Sequence, residues 1–172
     1  GKVVRPERAY LPDVKAAEGI EKVPAAMFDE HRISEKLLLY LGVRKRLDIS
    51  ALLKDLAHNK VTPETSVSII STVVVLDTEL TDNEIEQLRK AHFMLSDLDA
   101  ADADGASELP GKLPSELLMP SDEHRSLQLP TVHFPAFPKE GRPLDAAQNL
   151  FKRMGVLPEP SWETLLDVAS TE

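Results

Sequence analysis

Asp122, Glu123, His124 and His133 come nearest to acid–base or metal chemistry, two imidazoles and two carboxylates close together in the chain. An enzyme built on them would assemble Asp122, His124 and His133 into one site. Their spacing argues otherwise. His31, His58, His92, His124 and His133 are each isolated, without the i,i+4 helical pairing or short-hairpin spacing that metal ligands require. A solvated turn before Leu127 is the plainer reading of the Asp122–His124 stretch. Asp102, Asp104 and Gly105 resemble part of a calcium loop, but with Gly105 at its sixth position the first ligand would be Ala100 and the twelfth Gly111, where an acid is needed. Ser115, Ser121 and Ser126 lack the Gly-x-Ser-x-Gly elbow, and the seven glycines are too scattered to cradle a phosphate. The chain contains no cysteine, which removes thiolate metal sites and cysteine nucleophiles together. The expectation is a segment with no catalytic residue, no cofactor and no metal.

The elements that must position these residues fit one domain's worth of chain, 172 residues. Hydrophobic residues make up 42% and charged residues 28%, a globular composition, and no apolar run approaches the ~18 residues of a membrane span. With 20 Lys+Arg against 29 Asp+Glu, the net charge of −9 has the wrong sign for a phosphate-binding surface, so neither nucleic acid nor membrane is expected as a partner. Cysteine-free composition fits a reducing compartment, hence an intracellular protein, cytoplasmic or nuclear. The opening Gly1-Lys2-Val3-Val4-Arg5-Pro6 reads as an excerpt or a processed piece of a larger chain.

Prolines concentrate in residues 6–24 and 110–160, where they forbid long regular elements, whereas Asp29 to Lys90 holds only Pro63. Residues 8–12 suggest a short strand ended by Pro12. Ser34 should cap a helix whose spacing aligns Ile33, Leu37, Leu38 and Leu41 and which Gly42 ends. Asp48 should open a second helix with Leu52, Leu53 and Leu56 on one face. Thr62-Pro63-Glu64 marks the start of a third, and its β-branched body keeps helical spacing at Val67, Ile70 and Val74. Thr81-Asp82-Asn83-Glu84 is a capping box whose helix turns Ile85 and Leu88 inward and stops near Ala91, before a strand-like His92–Leu95. Asp97 to Glu108, small, acidic and without aromatic groups, reads as a mobile surface loop. Helical spacing resumes from Leu144 to Met154 and from Ser161 to Ala169.

Two stretches repeat an order of features. Leu11-Pro12-Asp13-Val14 recurs as Leu129-Pro130-Thr131-Val132, and Tyr40-Leu41-Gly42-Val43 as Arg153-Met154-Gly155-Val156, with Ile49 matching Trp162 and Leu52 matching Leu165. The fold expected is α+β, helix-rich with short strands, one structural unit over 1–172. It contains two degenerate strand-helix-helix sub-repeats, 8–57 and 92–170, bridged by helices 63–90. The match with Ile49 places Trp162 in the core. Arg44-Lys45-Arg46 is the basic cluster, suited to the negative end of a helix or to an acidic partner such as the 97–108 loop.

Pro114 to Pro130 (Pro-Ser-Glu-Leu-Leu-Met-Pro-Ser-Asp-Glu-His-Arg-Ser-Leu-Gln-Leu-Pro), followed by Leu150-Phe151-Lys152-Arg153-Met154-Gly155-Val156 and Ser161-Trp162-Glu163-Thr164-Leu165-Leu166, resembles the repeat regions of very large proteins related to sacsin and to the plant protein NO VEIN. Nearest is an uncharacterised fungal family with an N-terminal Hsp90-type ATPase domain. The resemblance covers about residues 92–170, and 8–57 loosely. It implies a scaffold or client-contacting repeat, with protein partners in flanking repeats or clients. No residue of an Hsp90-type nucleotide site has a counterpart, since Asp104-Gly105 lacks the matching partners. The alternative is a self-contained adaptor or effector-type module whose proline-rich surface, Leu129 to Pro138, engages a protein. The candidate partner-binding residues are Arg44, Lys45, Arg46, His133, Phe134 and Phe137.

Overall fold

The computed structural model describes residues 9–12, 22–24, 33–54, 56, 59–103 and 107–169. His31, His58, Asp104, Gly105 and the start of the expected N-terminal strand lie outside them. The fold is α+β and helix-rich, with a small antiparallel sheet.

Side-chain caps place the first helices. The Ser34 hydroxyl accepts the Leu37 N–H at 3.2 Å and opens α1 (Glu35–Tyr40), while Gly42, at φ 96°, takes the left-handed conformation that ends it. Asp48 Oδ1 accepts the Ser50 N–H at 2.9 Å at the start of α2 (Ile49–Lys54). A two-residue strand β1 (Lys60–Val61) precedes Thr62, whose hydroxyl accepts the Thr65 N–H at 3.1 Å and caps α3 (Pro63–Leu76). The Val73-Val74-Val75 run is therefore helical: a strong cap, with proline at the first position, outweighs local β propensity once Ile69, Ile70, Val73 and Leu76 are buried together.

Ser66 and Thr72 are buried on that helix, and their hydroxyls have no hydrogen-bond partner among the described residues. Replacing Thr72 with the near-isosteric Val should stabilise the chain by about 1 kcal/mol, read as a raised urea midpoint, because it removes a desolvated hydroxyl.

A 3-10 turn, Asp77–Glu79, leads to the capping box at Thr81 and α4 (Asp82–Arg89), which buries Ile85 and Leu88. Thr81 accepts the Glu84 N–H at 3.3 Å, and Glu84 returns a bond to the Thr81 N–H at 2.9 Å. The same carboxylate holds Arg46 at 2.8 Å. Thr81→Ala should cost about 1 kcal/mol by urea unfolding, since it orphans a helix N–H and loosens the Glu84 carboxylate.

Phe93, Met94 and Leu95 are buried, yet His92–Ser96 forms isolated bridges instead of a ladder: Met94 pairs antiparallel with Lys112, and Ser96 with Val132. The acidic stretch departs from expectation. Asp97–Ala101 is a helix, α5, opened by a Ser96/Asp99 capping box. Its order comes from polar links to other elements, which a tally of apolar residues does not register.

Strand β2 (Leu109–Pro110) pairs antiparallel with β1, Lys60 opposite Pro110 and Val61 opposite Leu109. After a 3-10 turn at Pro114–Glu116, Ser121 caps a short helix, α6 (Asp122–Ser126), where the sequence suggested a plain turn. Helix α7 (Gly141–Met154) starts before the expected Leu144, accommodating Pro143 in its first turn, where a missing N–H costs nothing. Gly155, at φ 97°, ends it, and α8 (Trp162–Ala169) follows Ser161, which accepts the Thr164 N–H at 3.2 Å. Helix α4 lies between α2 and α7, packed against both. Ile49, Ile70, Leu88, Phe93, Leu117, Val132 and Phe151 meet in the core beneath it.

Two segments share one hydrogen-bond scheme. At the end of α1 the Gly42 N–H donates to Leu39 O at 3.0 Å and Val43 N–H to Leu38 O at 2.9 Å; at the end of α7, Gly155 donates to Lys152 O at 3.0 Å and Val156 to Phe151 O at 2.9 Å. The next residue then pairs in parallel with an upstream segment. Arg44 N–H donates to Ala9 O and Arg44 O accepts the Leu11 N–H, both at 3.0 Å; Leu157 N–H donates to Leu117 O at 2.9 Å and Leu157 O accepts the Met119 N–H at 2.8 Å. On the other side, Val23 N–H reaches Tyr10 O at 2.8 Å and Val132 N–H reaches Leu118 O at 3.0 Å.

The register differs from the motif match. Tyr10-Leu11-Pro12 is equivalent to Leu118-Met119-Pro120, whereas Leu129–Val132 corresponds to the segment around Lys22 and Val23. Leu11-Pro12 closes one kind of extended segment and Leu129-Pro130 opens the other, so the dipeptide alone could not tell them apart. Trp162 needs a second correction. It is exposed, unlike Ile49, because α4 covers α2 and no described element takes that place over Trp162.

Candidate functional site

The densest polar node centres on Asp97, the first residue of α5. Its carboxylate accepts Arg125 Nε at 2.8 Å, Thr131 Oγ1 at 2.9 Å and His133 Nδ1 at 2.9 Å, while its N–H donates to Thr131 O at 2.9 Å. Helix α6 supplies Arg125, and the extended segment after Leu129 supplies Thr131 and His133. Burial alone would push the Asp97 carboxyl up; the hydrogen bonds from Arg125, His133 and Thr131, with the charge of Arg125, outweigh it and hold the group below its ordinary value of 3.8. Beside it, burial raises Asp99, but the Lys112 ammonium at 2.8 Å and the Ser96 capping bonds bring it below its ordinary value too.

Both carboxyls therefore bind protons more weakly folded than unfolded. Their stabilisation is complete above the unfolded value near 3.8 and is lost as pH falls through the lower folded values. Unfolding midpoints should be flat through neutral pH and drop below about pH 4, and Asp97→Asn should flatten that drop while costing about 1 kcal/mol at pH 7, after allowance for solvent screening.

The residues singled out in the sequence do not converge on one site. Asp122 is exposed and pairs within α6 to Arg125 at 3.8 Å, and His124 Nδ1 donates to Met119 O at 3.0 Å, sealing the turn into that helix. His133 is bound to Asp97 instead. Arg44 lies 6.0 Å above the Tyr10 ring, Lys45 pairs with Glu35 at 3.1 Å, and Arg46 holds Glu84 and the Glu79 carbonyl. Among the described residues the basic cluster thus meets α1 and α4, not the 97–108 stretch. Phe134 is buried, and Phe134 and Phe137 stack on Phe151 with centroids 6.3 and 5.4 Å away. The proline-rich segment turns these aromatic groups inward, so Phe134 offers no docking surface. Asp97, Arg125 and Thr131 escaped sequence reading; the faint signal was Ser96-Asp97-Leu98-Asp99, a capping box written with Asp in place of Glu.

An open groove of about 610 Å³ runs along α3, lined by Pro63, Glu64, Val67, Ser68, Ser71, Val75 and His133. It is largely apolar, and His133, already committed to Asp97, is its tie to the polar node. A smaller cleft of about 240 Å³ lies between α6 and α7 beside Pro135 and Pro138. Polar side chains line this cleft, among them Ser121, Asp122, Arg125, Lys139 and Gln148, whereas the groove along α3 offers fewer. Among the described residues, no group of three or more histidines and carboxylates could hold a metal ion, and no helix is long and apolar enough to cross a membrane.

A family model described as "Protein of unknown function (DUF3684)" matches residues 2–172. The chain belongs to the DUF3684 family. No curated protein and no solved structure matches it. For this DUF3684 chain, the features that bear on function are the duplicated hydrogen-bond scheme, the node at Asp97 and the apolar side chains left on the outside.

Proposed function

We propose that this chain is a non-catalytic structural and interaction segment of a large sacsin-like, chaperone-related protein, intracellular and partnered by flanking repeats or client proteins. The observation that carries this reading is the shared scheme at Gly42–Arg44 and Gly155–Leu157, where the same backbone donors and acceptors recur 113 residues apart (42 to 155, 43 to 156, 44 to 157). A unit built twice around a bridging pair of helices is the construction of a repeat array, in which each unit is completed by its neighbours. The inward-turned Phe134 and Phe137 favour this over an adaptor docking through the 129–138 surface.

The test is the mass of the native protein in its source cells, probed with an antibody raised against this chain. A species far larger than 19.0 kDa is expected. A single species near that mass would overturn the reading.

A further inference from the structure

The two units are built alike, but their helix faces are not equally covered, and α4 accounts for the difference. In the first unit α4 packs on α2, with Ser50 Oγ donating to Gln87 Oε1 at 2.8 Å, and Ile49 is 0% exposed. The equivalent Trp162 on α8 is 80% exposed. On its other side α4 packs on α7, where Arg89 Nε donates to Arg153 O at 2.6 Å and Leu150 is 1% exposed. The equivalent Leu37 on α1 is 48% exposed. One helix thus joins the back of one unit to the front of the next, and the faces left open are those where a second such helix would sit.

We propose that the Trp162 face of α8 seats an amphipathic helix of the α4 kind, contributed by a further unit of the same construction. This rests on the repeat-segment reading above and names the partner for it. The fit is a heterologous, head-to-tail contact, so it extends an array instead of closing a dimer. Charge refines the partner. Arg46, which holds Glu84 of α4 at 2.8 Å, is equivalent to Glu159, an exposed carboxylate. The helix received by α8 therefore carries a cation where α4 carries Glu84, and α4's own sequence would meet Glu159 with like charge.

Trp162 is the chain's sole tryptophan, so its fluorescence reports this face alone. The experiment appends a second copy of residues 59–91 after Glu172, which keeps the interhelix connection close in length to that between α2 and α3. It is made in the natural background and with Glu159→Arg. The expected result is a blue shift of Trp162 emission and a several-fold fall in acrylamide quenching, larger with Glu159→Arg, and lost when Ile85→Asp and Leu88→Asp are placed in the appended copy only. Trp162 remaining solvent-like in both extended chains would overturn the proposal. So would Trp162 becoming shielded in the unextended chain as it dimerises at high concentration, which would make a second copy the occupant. A large native protein with an unresponsive Trp162 would remove this inference and leave the repeat reading standing; a 19.0 kDa native protein would remove the repeat reading and with it the further unit named here.

Discussion

Gly111→Ala is expected to destabilise the chain by about 3 kcal/mol or more, enough to leave a marginal domain partly unfolded at room temperature. A Cβ at this position would overlap His92 O and lie 2.7 Å from His92 C. Both are backbone atoms, so no side-chain rotation relieves the clash, and one segment must move. The cost of moving is high because three segments meet here. Gly111 N–H donates to Asn59 O at 2.8 Å, continuing the β1–β2 pairing, and Lys112 exchanges bonds with Met94 at 2.8 and 3.3 Å. Displacing residue 111 by the ångström or so needed would break one set or the other and uncover Phe93, which is fully buried.

Urea unfolding followed by circular dichroism measures the effect, with Gly155→Ala as the comparison. At Gly155 nothing lies within 4 Å of the added carbon, but φ is 97°, so the penalty there is backbone strain of about 1 kcal/mol. If Gly111→Ala costs no more than Gly155→Ala, then His92 and Gly111 are not in contact in solution.

The contrast between these glycines shows what a sequence can disclose. Gly155 was legible, standing after an apolar helical run and before a proline-rich one, where the need for positive φ is local. The need at Gly111 is created by His92, nineteen positions away, and no pattern in Leu109-Pro110-Gly111-Lys112 announces it. The caps at Ser34, Thr62 and Thr81 were readable for the same local reason, and the α+β class followed from them. Trp162 shows the opposite failure. Its match with Ile49 gives it a position in the repeat, but burial depends on a neighbouring element, and periodicity is silent about whether that neighbour is present. The Asp97 node was hidden because polar groups from α5, α6 and the 129–133 segment converge on it from distant positions, each unremarkable alone.

Phe151→Ala is expected to cost about 3–5 kcal/mol, with loss of cooperative unfolding as a secondary sign. The ring is fully buried and carries the stacked Phe134 and Phe137, so truncation leaves a cavity between α7 and the proline-rich segment, where rings held by prolines collapse poorly. The repeat sharpens the prediction into a pair. Met154, one turn further along α7, is 1% exposed, while its equivalent Leu41 at the end of α1 is 50% exposed. Met154→Ala should therefore cost about 2–5 kcal/mol and Leu41→Ala less than about 1 kcal/mol in this chain, although the two helices end on the same Gly-Val pattern. The asymmetry belongs to the covering helix, not to the residues. Equal costs at Met154 and Leu41 would mean that α1 is already covered in solution, and the argument that α4 alone distinguishes the two units would fail.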